Sequence, residues 1–187
     1  KMRAFEGDVD IYETYEKLAE ALSIPKVTTK EWADKEFYFD LSMAKPKDEM
    51  VKILHNLHEK GKEIWFVTDI YYTKAQITKM LRKIGITISF KLFVSSDLRK
   101  RKDAGTMWTY VKGLVDESGK TFIHVGDNVR SDAQICGDFG LNNLHILNPI
   151  DKWRIANFPM PDFENEQNIL KWGKQVSHFG RYPFFGE

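Results

Sequence analysis

A chain of 187 residues has room for one domain of ordinary size with a real core and barely for two small ones, and hydrophobic residues at 42% with aromatics at 13% exclude a disordered composition. Lys plus Arg number 28 against 27 Asp plus Glu, and the resulting formal charge of +1 excludes a global field that would draw the chain to nucleic acid or an anionic membrane. The single cysteine, Cys136, excludes an intramolecular disulfide and an all-cysteine metal site, and points to a reducing, cytoplasmic setting.

The longest apolar runs, such as "IWFV" at 64–67, fall far short of the roughly 20 residues a membrane span requires, so no span is expected. The opening "KMRAFEG" lacks the apolar stretch of a signal peptide. A lysine ahead of methionine is not a natural start, and the expectation is a trimmed or truncated chain.

In chain order, Ile11, Tyr15, Leu18 and Leu22 recur at spacings of four, three and four and predict an amphipathic helix ended by Pro25. A second helix is predicted near 28–37, with Thr29 as a cap and Trp32, Glu36 and Phe39 at helical intervals. Its continuation, "EFYFDLS", reads equally as a strand or as buried helix. "KPKDEMVKILHNLHEKG" predicts a helix with Pro46 in its first turn and Gly61 at its stop. The period then changes. "KEIWFVT" is the continuous apolar run of a strand buried on both faces. Helix follows over "KAQITKMLRKIG", strand over "FKLFVSS", helix over "GTMWTYVKGLV", strand over "KTFIHVGD", a short helix over "SDAQICGDFG" and strand over "NLHILN".

This alternation from 64 to 148 predicts right-handed βαβ units, and the fold class is α/β: a three-layer α/β/α Rossmann-like domain with a parallel sheet. Residues 1–45 form a helical segment ahead of it, 46–150 the α/β core, and 151–187 a C-terminal extension with one short helix and an aromatic tail.

Ligands of such a sheet sit beyond the carboxyl ends of its strands. The run ending at Val67 delivers Thr68 and Asp69. The run ending at Val94 delivers Ser95, Ser96 and Asp97, followed by a basic block that contains Lys102. The run ending at Val125 delivers Gly126, Asp127 and Asn128, with Asp132 one helical turn on. Hydroxyl, ammonium and carboxylates converging on one edge are the set needed to hold a phosphoryl group beside a magnesium ion, which prefers hard oxygen ligands, keeps several waters and needs only one or two carboxylates. The hydroxyl and ammonium suit the equatorial phosphoryl oxygens, where charge gathers during transfer.

"IWFVTD", "RKRKDAGTMW" and "VGDNVRSD" resemble motifs two, three and four of the haloacid dehalogenase superfamily. Residues 29–148 resemble most a subgroup found beside bacterial glycosyltransferase and surface-polysaccharide genes, in which a small helical cap precedes a second motif like "TDIY". The resemblance implies a small helical cap, Mg2+ as cofactor, and a small phosphorylated substrate, such as a sugar phosphate, processed through an aspartyl-phosphate. It implies Thr68 and Lys102 as catalytic residues. Thr68, Asp69, Lys102 and Asn128 are the implied substrate-binding set, with Asp127 as metal ligand and Asp132 as an accessory acid near the metal.

The superfamily's first motif, an apolar strand ending in Asp-x-Asp, has no good copy here. Asp8 and Asp10 in "GDVDIYET" have the right separation behind a poor strand, Asp40 ends the aromatic run "FYFD", and the preferred expectation is a motif upstream of residue 1. Without that central strand, the strands at 64 and 121 would face each other across a gap with unpaired edges.

Other candidates read as structural. His55 and His58 lack a third ligand, His124 and His145 read as packed strand residues, and Cys136 reads as a small core residue. Arg99, Lys100 and Arg101 read as a solvated face, and the aromatic tail "HFGRYPFFGE" as docked on the domain or part of an interface. The rival to a phosphohydrolase is a catalytically silent domain that keeps the phosphate cleft and serves as a scaffold, with additional domains of the same polypeptide, in glycan synthesis. A nucleotide-binding regulator is weak, because no glycine-rich phosphate loop is present.

Overall fold

The computed structural model describes residues 7–25 and 28–181. Helix α1 (Ile11–Leu22) begins at a capping box in which Asp10 accepts from the Glu13 amide and the Glu13 side chain answers the Asp10 amide, so two otherwise unpaired donors are satisfied. Helix α2 (Thr29–Met43) packs on it and resolves the ambiguity of "EFYFDLS" as helix. Ala33 and Phe37, one turn apart, are buried on a single stripe while Tyr38 and Phe39 turn outward, a 3.6-residue pattern that a strand cannot produce. Helix α3 (Asp48–Glu59) starts two residues after Pro46 and is tied down by its histidines: His55 Nε2 lies 3.0 Å from the Gly85 carbonyl and His58 Nε2 2.8 Å from the Ser89 hydroxyl.

Strand β1 (Trp65–Thr68) pairs in parallel with β2 (Lys91–Val94), Thr68 opposite Val94, across helix α4 (Lys74–Lys83). Strand β3 (Ile123–Gly126) pairs in parallel with β4 (Asn142–His145), Gly126 opposite His145. The described residues therefore hold two parallel ladders rather than one continuous sheet. Layering is clear at β2. Leu92 and Val94 face a core built with Ile11, Ala33, Phe37, Tyr72 and Ile77, whereas Phe93 faces the opposite core of Met107, Trp108, Val111, Cys136 and Leu141, as a two-residue period demands. Helices thus cover both faces, and the α/β, Rossmann-like reading holds.

Helix α6 (Thr106–Ser118) joins the two ladders. Trp65 of the first contacts Phe93 and Phe122 at ring separations of 5.3 and 5.9 Å, while Trp108 of α6 is fully buried against His124 of β3 at 4.7 Å. The Trp108 indole N–H donates to the Ser131 carbonyl at 2.8 Å, which pins α6 to the segment after β3. That segment, expected as one short helix, is a π-helical stretch over Val129–Ile135 followed by the single turn α7 (Cys136–Asp138). A short helix α5 (Ser95–Leu98) directly follows β2. One face of β3 and β4 stays open: Ile123 is 61% and Leu144 47% exposed, so these strands are not buried on both faces.

Beyond Pro149 the sequence pattern reads as broken, yet Pro149 opens helix α8 (Pro149–Ile155), where its missing N–H costs nothing, under an Asn148 cap. The expected single short helix is the 14-residue α9 (Glu166–Phe179), whose Trp172 contacts Trp153 and Phe163. Tyr182, Phe184 and Phe185 of the aromatic tail lie outside the described residues. No helix among the described residues is long and apolar enough to cross a membrane.

Replacing Trp108 by Phe removes both buried volume and the partner of the Ser131 carbonyl. The expected loss is about 2 kcal/mol or more of unfolding free energy, read from the urea midpoint at unchanged slope.

Candidate functional site

Lys102 follows β2 and α5 in a loop that is anchored at both ends. Its own backbone N–H donates to Asp69 Oδ2 at 2.7 Å, and the Met107 amide returns to the Arg101 carbonyl at 3.0 Å as α6 begins. Gly105, at φ +76, makes the turn into α6. A Cβ there would meet the Phe139 ring at 2.8 Å, so both conformation and space require glycine. The side chain of Lys102 then runs inward, and its Nζ lies 2.6 Å from Asp132 Oδ1.

Asp132 arrives from the other ladder. Asn128 caps the π-helical stretch by accepting the Arg130 and Ser131 amides, and that stretch presents Asp132 over Gly126. A Cβ on Gly126 would fall 2.5 Å from the Asp132 carboxylate, so the glycine at the end of β3 opens the space that this acid occupies. His124 shares a strand face with Gly126, and its Nε2 reaches the same Oδ1 at 3.1 Å. The Asn128 amide donates to Oδ2 at 3.1 Å. Lys102, His124 and Asp132 have side chains only 12%, 11% and 6% exposed.

Burial opposes the charged form of Asp132. The hydrogen bonds from His124 and Lys102 outweigh it and hold this carboxyl well below the usual carboxylate range. Asp69 shows the reverse balance, since burial pushes its carboxyl up against the lowering bond from Lys102 N–H. Its Oδ1 is buried without a hydrogen-bond partner, a costly arrangement that a ligand would relieve.

The predicted set is therefore brought together in part. Lys102 links Asp69, at the exit of β1, to Asp132, after β3, and the Asn128 amide donates to the other oxygen of Asp132. Thr68 is the last residue of β1, immediately before Asp69, with its hydroxyl in no hydrogen bond among the described residues. Asp127 follows β3, its carbonyl accepting from His145 Nε2 at 3.2 Å and its carboxylate engaged in no hydrogen bond or ion pair among the described residues. Among those residues no group of three or more His, Cys, Asp and Glu side chains is gathered as a cage for a metal. Magnesium keeps most of its waters, however, and a carboxylate such as that of Asp127, unengaged among the described residues, suits an ion that needs only one or two such ligands.

Of the first-motif candidates, Asp40 stands on a helix rather than at a strand end and accepts from the Tyr72 hydroxyl at 2.7 Å. Asp8 lies at the cluster: its Oδ1 is 3.4 Å from Arg101 Nε, and its carbonyl accepts from Arg99 at 2.9 Å. Asp10 is held in the capping box of α1. The segment ahead of Gly7 lies outside the described residues.

Sequence reasoning missed His124 and Arg101. Alternation alone placed His124 on the face of Gly126, so a glycine two residues on, with an acid six residues further, was the signal available. Cys136 is fully buried, and burial together with the charge of Asp132 pushes its thiol up to about 11, which leaves it inert as a nucleophile.

Asp132→Asn leaves the buried Lys102 ammonium unpaired, at an expected cost of about 3 kcal/mol at neutral pH. The native carboxyl is depressed, so its stabilisation is fully present above the unfolded value of about 3.9 and is lost progressively as pH falls from there toward the lower native value. Denaturant titrations from pH 7 to 2.5 are expected to show the gap between wild type and variant widest at neutral pH and narrowing below about pH 4. A gap independent of pH would contradict the pairing.

A family model described as a hydrolase, haloacid dehalogenase-like hydrolase, matches residues 2–140. Comparison with curated proteins returns no match. The matched stretch is well over half of the chain and runs through Asp8, Thr68, Asp69, Lys102, Asp127 and Asp132. The chain belongs to the haloacid dehalogenase-like hydrolases.

Proposed function

We propose that the protein is a magnesium-dependent phosphohydrolase acting on a small phosphorylated metabolite through an aspartyl-phosphate. The observation that carries this reading is the Lys102 bridge, which joins the exits of two strands through Asp69 and Asp132. An ammonium held on Asp132, in a loop whose backbone is tied to Asp69 next to Thr68, is suited to the phosphoryl oxygens.

In this reading Thr68 donates to one phosphoryl oxygen and Lys102 neutralises the charge that develops on the others. Asp132 and His124 orient the ammonium, because His124 and Lys102 meet on the same Asp132 oxygen, Oδ1, which fixes the direction from which Lys102 approaches. Asp127 would hold the magnesium, whose chemistry there is neutralisation of phosphoryl charge. Asp8 is the described carboxylate best placed to attack phosphorus, since it stands beside the Lys102 loop and within the stretch covered by the family match. Its attack forms the acyl phosphate and breaks the phosphorus–oxygen bond to the leaving alcohol, and water then returns the carboxylate and inorganic phosphate. A sugar phosphate is the substrate class suggested by the resemblance to the glycosyltransferase-associated subgroup. The family match reaches the superfamily and not that subgroup. Helices α1 and α2 take the place of the small cap.

A second reading, the catalytically silent scaffold within a larger polypeptide, is favoured by one observation: Asp10, the acid at the expected spacing, is already committed to capping α1. Turnover of p-nitrophenyl phosphate separates the two. The full chain is expected to hydrolyse it with magnesium and not with a chelator, and Asp8→Asn, Asp127→Asn and Lys102→Ala are each expected to lose about 100-fold or more in kcat. Phosphate binding without turnover would favour the scaffold, and turnover unchanged in Asp127→Asn would remove the metal assignment.

A further inference from the structure

Helix α2 carries three carboxylates that accept four phenol hydroxyls. Asp34 takes Tyr12 at 2.8 Å, Asp40 takes Tyr72 at 2.7 Å, and Glu36 takes two: Tyr15 of α1 on Oε2 at 2.5 Å and Tyr71 on Oε1 at 2.7 Å. Tyr71 and Tyr72 belong to the loop that leaves β1, two and three residues after Asp69. The same loop is gripped from the other side by α5. The Ser95 hydroxyl accepts from the Ile70 amide at 2.8 Å, and the Ser96 hydroxyl donates to the Tyr72 carbonyl at 2.7 Å.

Residues 70–72 are thus clamped between two serines below and two acids of α2 above. Each Glu36 oxygen serves a different body, one the helical pair and one the strand-exit loop, so the side chain works as a bolt between them. Charge-assisted phenol–carboxylate bonds of this length tolerate little displacement. A shift of α2 must either break them or carry the loop along, and the loop continues directly into Asp69 and Thr68.

The bolt is not needed to keep α2 folded. Ala33 and Phe37 bury its inner face, Phe37 packs on Tyr72 at a ring separation of 5.4 Å, and α1 covers its flank. Glu36 and Tyr71 sit at the rim, with Tyr71 40% exposed, where a polar contact adds little to stability. A specific two-armed contact at the edge of the anion site, redundant for packing, has its use in placing the loop.

We propose that Glu36 is a positioning residue: through Tyr71 it sets the loop that begins at Asp69, directly after Thr68, and so makes the placement of the helical pair a condition for an ordered phosphate site. This rests on the reading of Thr68 and Asp69 as phosphate-binding residues.

The test uses the full chain with Glu36→Ala, Tyr71→Phe, the double variant and Glu36→Gln, which keeps one acceptor oxygen. Hydrogen exchange at the amides of residues 69–72, led by Ile70, is expected to quicken about tenfold in each single loss variant. The double variant should be no faster than the singles, with partial recovery in Glu36→Gln and a melting temperature near wild type. On p-nitrophenyl phosphate, kcat should fall about tenfold in the same order, because a small misplacement of binding groups is costly in rate. Exchange unchanged in the singles, or effects that add in the double variant, would overturn the proposal, as would quickened exchange with kcat unaltered. Exchange is read without substrate, so a wild-type chain that turns nothing over defeats the phosphohydrolase reading alone.

Discussion

An ammonium and a carboxylate that are 12% and 6% exposed cannot both leave water unless each finds its counter-charge and its remaining hydrogen bonds. The Lys102–Asp132 contact meets that condition with help from three directions. His124 shares the oxygen that Lys102 uses, the Asn128 amide fills the other, and the empty space at Gly126 lets the acid sit close above the strand. Because Lys102 comes from the loop after the first ladder and Asp132 from the segment after the second, this one pair requires the two ladders to hold their mutual position. The Trp108 indole, donating to the carbonyl of Ser131 next door, fixes the same junction from the core side. Apolar packing and the polar cluster thus impose a single geometry, and that agreement makes the site rigid.

The balance of charges there also separates the roles of the acids. Asp132 is saturated with donors and held ionised, which suits a group that orients a cation. Asp69 gives one oxygen to the Lys102 backbone and leaves the other buried and unpaired, while Asp127 keeps its carboxylate unengaged. A fold that leaves a buried acceptor unpaired bears a cost in stability, and such costs concentrate where a ligand completes the set.

Much of this is legible in the sequence. The change from a 3.6-residue to a short apolar period located all four strands, whose exits carry Thr68, Asp69 and Asp127, while Lys102 and Asp132 lie several residues further on and were singled out with the help of the family resemblance. Three kinds of feature were not legible. "EFYFDLS" satisfies both periods, and only the burial of Phe37 against Tyr72 decided for helix. Pro149 breaks a helix in its interior but opens one at its first turn, and the difference lies in whether Asn148 is free to cap. His124 and the tyrosines that meet α2 carry no motif, because their partners lie between 8 and 35 residues away in the chain, and the contact of Arg101 with Asp8 spans 93.

By itself, the sequence determined what is local: the alternation of helix and strand, the glycines that turn or make room, and the arrival of hydroxyl, ammonium and carboxylates at strand ends. These follow from periodicity and backbone conformation, which act over a few residues. Tertiary structure alone decided pairing: that Lys102 engages Asp132 rather than Asp127, that Asp10 caps a helix, that Asp40 serves Tyr72, and that Glu36 bridges two tyrosines. Pair choice depends on distance and desolvation in the folded chain, and a linear order of residues encodes neither.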